Sequence, residues 1–215
     1  MIRGPRSTSP SGATLGWLSR PRSPRATVLV LHGGQQHGPG PTSWRQPSVL
    51  RAWLYAGAIA GRARSADIGV AFLRYAARGW NAEAPVADGR WAMEQIVREH
   101  PGLPVGLFGY SMGGRVALRL VDDDNVRSLV TAGAWVTPTD LAHITPTPAL
   151  KALLLHGSLD RVTDPRGSAL AAEHLRGRGA TAVVQTDLED GHAMMRHARE
   201  WHARAAEHLA TTLGG

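Results

Sequence analysis

Gly109-Tyr110-Ser111-Met112-Gly113 joins two segments of opposite character, and that junction limits what this chain can fold into more than any other stretch. Pro104 to Phe108 is a short apolar run suited to a buried strand; beyond it, Val116, Leu118, Leu120 and Val121 carry helix-like spacing. A chain that turns from strand to helix within a few residues passes close to itself. Gly109 and Gly113 omit the side chains that would collide there. Ser111 then stands at the apex of a strained turn, with its hydroxyl outward and the Met112 amide facing the same space.

The remaining chain alternates around this junction. Ala13 to Leu18 fits a short edge strand, and Ala26 to Leu31 is an unbroken aliphatic run of the kind found in central parallel strands. Gln35 to Pro47 is loop by its glycines and prolines. Helices are expected over Ser48 to Arg62, with Val49, Leu50, Trp53 and Leu54 as the apolar side, over Pro85 to Glu99, Ser168 to Leu175 and Ala193 to Leu213. Further strands are expected at Ile68 to Leu73, Val126 to Ala132, Lys151 to Leu155 and Thr181 to Thr186. Strands separated by helix-length segments predict an α/β fold with a mostly parallel, helix-covered sheet and right-handed crossovers.

Composition narrows the function classes. The formal charge of +7 suggests a nucleic-acid binder, but residues 1 to 66 hold nine arginines and no acid, whereas the rest carries 15 basic and 17 acidic residues. Basicity is thus an N-terminal property without zinc-finger spacing, an RNP-like strand or a basic recognition helix, and no nucleic-acid partner is expected. Residues 1 to 12 are rich in Arg, Ser, Pro and Gly and read as a loose basic tail ahead of a single domain over residues 13 to 215. No apolar signal core or membrane-length run occurs, so a cytoplasmic protein with no membrane partner is the expectation. Cysteine is absent, there is no His-Glu-x-x-His, and the single lysine, Lys151, ends no phosphate loop. No metal or cofactor is expected.

A neutral serine is a poor nucleophile and needs a base, itself oriented by a carboxylate. Asp160 follows the Leu153 to Leu155 strand, and His192 lies in Glu189-Asp190-Gly191-His192, giving the order serine, acid, histidine. Asp164, Asp187, Glu189 and Asp190 compete as the acid. His32 and His156 read as braces for loop backbone, and Asp67, Asp88, Glu94 and Glu99 as surface or helix-terminal charges.

Four motifs in order, Leu31-His32-Gly33-Gly34, Gly109 to Gly114, His156 to Pro165 and Asp190-Gly191-His192, resemble the α/β-hydrolases, in particular the compact dienelactone-hydrolase-like proteins and small serine esterases. The resemblance implies a single domain with about seven strands, because the chain before Ala26 is short for the family's leading strands. It implies that Ser111 attacks, Asp160 orients and His192 transfers the proton. It also implies an oxyanion hole from the Met112 amide and that of Gly34 or Gln35. Dienelactone hydrolases typically carry cysteine where Ser111 stands, so hydrolysis carries over more readily than that particular activity. Val136 to Pro148 is too short for a large lid, which favours a small ester, lactone or thioester as substrate; Tyr110, Trp135 and Met194 are candidates to line the cleft. A peptidase or amidase with the same machinery, and a non-catalytic receptor of this fold, are the alternatives. Oligomeric state is not legible.

Overall fold

The long aliphatic runs become the middle of one sheet. In the computed structural model, which describes residues 3–214, β3 (Ala26–Leu31), β5 (Val105–Tyr110) and β6 (Val126–Ala132) lie side by side and almost wholly buried. β4 (Ile68–Arg74) flanks them on one side, and β7 (Lys151–Leu155) and β8 (Thr181–Gln185) extend the other. β1 (Arg3–Thr8) and β2 (Thr14–Ser19) complete the order β1-β2-β4-β3-β5-β6-β7-β8, in which β2 alone runs against its neighbours.

Alternation along the strands decides which helices cover which face. Leu29, Leu31, Leu107 and Leu129 point to a layer of α2 (Ala84–Glu99), α3 (Met112–Leu118) and α4 (Pro165–Gly177). Val28, Val30, Phe108 and Val130 point to α1 (Pro47–Ala63) and α5 (Ala198–Leu213), where Tyr55, Ile59, Trp201 and Leu209 fill the space. The inner face of α1 is Val49, Ala52, Ala56 and Ile59, while Leu50 and Leu54, expected inside, stand about half exposed. Small residues let α1 close on the sheet and on α5, so the alanine stripe wins the inward position over the leucines. Among the described residues no helix is long and apolar enough to cross a membrane.

One expectation about the N-terminal region is corrected. The described residues form an eight-stranded sheet, in keeping with the mostly parallel sheet of about seven strands expected, but residues 3–8 form β1 where a loose tail over residues 1 to 12 was expected; residues 1 and 2 lie outside the described residues. Composition registers side-chain burial; β1 gains instead from backbone pairing with β2, which is therefore interior. The connecting turn is fixed by the Ala13 amide donating to Ser9 Oγ at 2.9 Å and by Ser11 Oγ donating to Asp88 Oδ1 at 2.7 Å. Asp88, expected as a surface or helix-terminal charge, is buried, and its other oxygen accepts the Ala76 amide at 2.9 Å. The last helix begins at Ala198, five residues later than its apolar pattern suggests.

Candidate active site

The turn between β5 and α3 forces the residue at its apex into a backbone conformation that costs free energy. Ser111 has φ 54° and ψ −116°, held by its own amide donating to Ala132 O at 2.9 Å. A Cβ on Gly109 would lie 2.3 Å from Gly113 O, and one on Gly113 would lie 2.2 Å from Leu31 O. Only glycine at both positions lets α3 start directly against the end of β3.

The loop after β7 supplies a carboxylate built to remain ionised. Asp160 Oδ1 accepts the amides of Val162 (2.8 Å) and Thr163 (3.0 Å); Oδ2 accepts Thr163 Oγ1 (2.8 Å), His156 Nε2 (3.1 Å) and His192 Nδ1 (2.8 Å). Burial opposes the charge, but the bonds from the two histidines and Thr163 outweigh it and hold the Asp160 carboxyl far below the usual carboxylate range. His156 is held in turn by Ser168, whose Oγ lies 2.7 Å from His156 Nδ1. With the Ser168 hydroxyl donating to Nδ1, Nε2 carries the proton toward Asp160.

The loop after β8 brings the imidazole. His192 Nε2 is 3.0 Å from Ser111 Oγ while Nδ1 faces Asp160, so one ring bridges hydroxyl and carboxylate. The loop is pinned by buried Asp190, which accepts the His197 amide (3.0 Å) and Trp201 Nε1 (3.1 Å). The Leu159 amide donates to Asp190 O at 3.0 Å, joining the loop of the acid to the loop of the imidazole. A Cβ on Gly157 would lie 2.2 Å from that same oxygen, so the two loops are in backbone contact.

The loop after β3 closes the site. His32 is buried, with Nδ1 donating to Gly33 O at 2.6 Å and Nε2 accepting the Tyr75 amide at 3.2 Å. Burial pushes its pKa down to about 4, against the bond to Gly33 and helped by the Arg74 charge, so near pH 7 it is a neutral brace. Asn81 accepts the Gly38 amide and donates to Gly38 O, stiffening the loop further on. The Gln35 amide donates to Arg78 O at 2.9 Å and so is withdrawn from the expected oxyanion role. Gly34 and Met112 both line the cleft, and the Met112 amide opens α3, where helix geometry provides no acceptor.

No protein-family model and no curated protein matches the sequence. Solved structures do match in shape. A lidless α/β serine hydrolase from Xanthomonas campestris has 18% identity and a TM-score of 0.73, over 100% of this chain and 96% of that one. The esterase Pf2001 of Pyrococcus furiosus has 13% identity and a TM-score of 0.71, over 99% and 91%. A dienelactone hydrolase from Anabaena variabilis has 16% identity and a TM-score of 0.70, over 99% and 98%. The chain has the α/β-hydrolase fold.

Within that fold, the cleft beside Ser111 encloses about 450 Å³, and Gln35, Gln36, Trp135, Thr137, Val162 and Thr163 complete its lining. A larger hollow of about 620 Å³ lies between β2 and α1 against Trp17 and Trp53, away from the serine and imidazole. Of the three expected lining residues, Trp135 faces the cleft. Tyr110 is buried on the α1 and α5 side of the sheet, donating its hydroxyl to His192 O at 2.9 Å, and Met194 is buried against Tyr55. Both therefore support the imidazole loop from behind. The rival acids are engaged elsewhere: Asp164 caps α4 and pairs with Arg166, Asp187 pairs with Arg204, and exposed Glu189 lies near Arg196. Sequence reasoning missed the contact of His156 and Thr163 with the acid; their spacing, four residues before Asp160 and three after, was the available signal. Among the described residues no three His, Asp or Glu side chains converge as metal ligands.

Proposed function

We propose that this protein is a serine hydrolase that cleaves a small carboxylic ester, lactone or thioester through an acyl-serine intermediate. The observation that carries the reading is the single imidazole held 3.0 Å from Ser111 Oγ and 2.8 Å from Asp160 Oδ2, by segments far apart in the chain. The structural neighbours include a serine hydrolase, an esterase and a dienelactone hydrolase, which lie in the same reaction class and support the reading.

The chemistry follows from where protons can go. His192 Nε2 takes the Ser111 proton as Oγ bonds to the acyl carbon, and Asp160 stabilises the imidazolium. The amides of Gly34 and Met112 receive the negative charge that develops on the carbonyl oxygen, a role in which one donor is worth about 3 kcal/mol. The tetrahedral adduct expels the alkoxide or thiolate as His192 returns the proton to it. Water then repeats the sequence on the acyl-serine, with His192 as base, and releases the carboxylic acid. Free hydroxyl is regenerated on Ser111.

A fluorophosphonate is expected to add once to the wild-type chain, read as one mass increment on the intact protein, and not to Ser111→Ala. Undiminished labelling of Ser111→Ala would reject that serine as the nucleophile. A folded wild type that takes no label would favour the non-catalytic alternative. Paired ester and anilide substrates with the same acyl group then separate an esterase from an amidase.

A further inference from the structure

One turn beyond Ser111, Arg115 is 12% exposed and packed into the corner between two tryptophans. Its Cζ lies 4.0 Å from the Trp80 ring centroid and 4.3 Å from that of Trp135, and the rings meet edge to face at 6.2 Å. Arg115 Nε donates to Asp140 Oδ1 at 2.8 Å. Asp140, almost wholly buried, uses Oδ2 to accept the Thr137 amide (2.8 Å) and hydroxyl (2.7 Å). Trp135 and Thr137 both line the cleft, and the Trp80 amide donates to Gln35 O at 2.9 Å, tying the cluster to the loop after β3.

Resting on the hydrolase reading, we propose that Trp135, locked by Arg115, is the specificity wall that restricts the acyl group to short chains. A ring free at one face can swing aside for a longer chain. This one is held by a cation on its face, by the Trp80 ring near it and by its own amide donating to Ser111 O at 3.3 Å. Its position is thereby referenced to the helix that carries the nucleophile. The leaving group must be reached by His192, and the loops bearing Asp160 and His192 present exposed apolar residues, Val162 at 73% and Met195 at 55%. The leaving group passes over that rim, and the acyl group meets the fixed wall of Trp135 and Thr137. Among the described residues no charged side chain lines the cleft, and the nearby Arg115 guanidinium is paired with Asp140 and stacked on the two rings. Neutral short-chain acyl esters are the class that fits.

The test is a p-nitrophenyl ester series from acetate to octanoate, with fluorophosphonate titration counting reactive Ser111 in each preparation. Wild type is expected to prefer acetate or butyrate. Trp135→Ala is expected to raise the octanoate-to-acetate ratio of kcat/KM at least about tenfold. Arg115→Lys keeps a cation for Asp140 but cannot lie flat on two rings, and is expected to move the ratio the same way by a smaller factor. An unchanged ratio in Trp135→Ala, with the titrated serine intact, overturns the wall while leaving the hydrolase reading standing. Absence of titratable serine in the wild type removes both.

Discussion

Turnover of p-nitrophenyl acetate is expected to fall by about 10⁶ in kcat when His192 is replaced by alanine, with KM changed by only a few-fold. Among the described residues the imidazole is the one base hydrogen-bonded to Ser111 Oγ, at 3.0 Å, and without it the neutral hydroxyl must attack unaided. Asp160→Asn is expected to cost less, about 10⁴, and by a different route. An amide placed at the Oδ2 position can donate to His192 Nδ1, which moves the ring proton to Nε2 and abolishes its ability to accept from serine. The fall should therefore appear in kcat at constant pH with the fold retained by circular dichroism. A His192→Ala protein that keeps more than about a hundredth of wild-type kcat would exclude this ring as the base. Protonation of Asp160 should not supply the acid limb of the wild-type profile. Its hydrogen bonds hold the folded value well below the ordinary 3.8, so the carboxylate persists over the working range. The linked stability is present above that ordinary value and is lost as pH falls from it toward the folded one.

The features legible in the sequence are those whose physics is local. The glycines around Ser111 follow from a steric requirement that any strand-to-helix reversal imposes, and the aliphatic runs of β3 and β5 announce burial on both faces. Asp160 and His192 were readable because each follows a strand, and parallel strands deliver their C-terminal loops to one edge of the sheet. What escaped depends on partners that the sequence does not pair. The Gln35 amide was as plausible a donor as that of Gly34 until Arg78, distant in the chain, took it up. β1 has no apolar pattern to betray it, since an edge ladder is made of backbone. Tyr110 is a different kind of error: the period of two places it with Phe108, toward α1 and α5, and that alternation was available in the sequence. Proximity to Ser111 in number is not proximity to the cleft.

Gly113→Ala is expected to destabilise the protein by roughly 3–5 kcal/mol and to lower Tm by about 10 °C in a domain of this size. The added methyl would meet Leu31 O at 2.2 Å and His32 O at 2.6 Å, both backbone atoms at the end of a central strand. No rotamer change relieves such a contact; α3 must part from β3, and the hydroxyl of Ser111 moves with α3. Loss of fluorophosphonate reactivity should therefore accompany the loss of stability. Gly61→Ala is the matched control. Gly61 lies on the exposed side of α1, its added Cβ would meet nothing within 4 Å, and helix propensity favours alanine, so a gain of about 0.5–1 kcal/mol is expected. Thermal unfolding of the two variants in one buffer separates backbone collision from backbone entropy. Equal shifts of the same sign would mean that the close approach of α3 to β3 does not constrain the elbow.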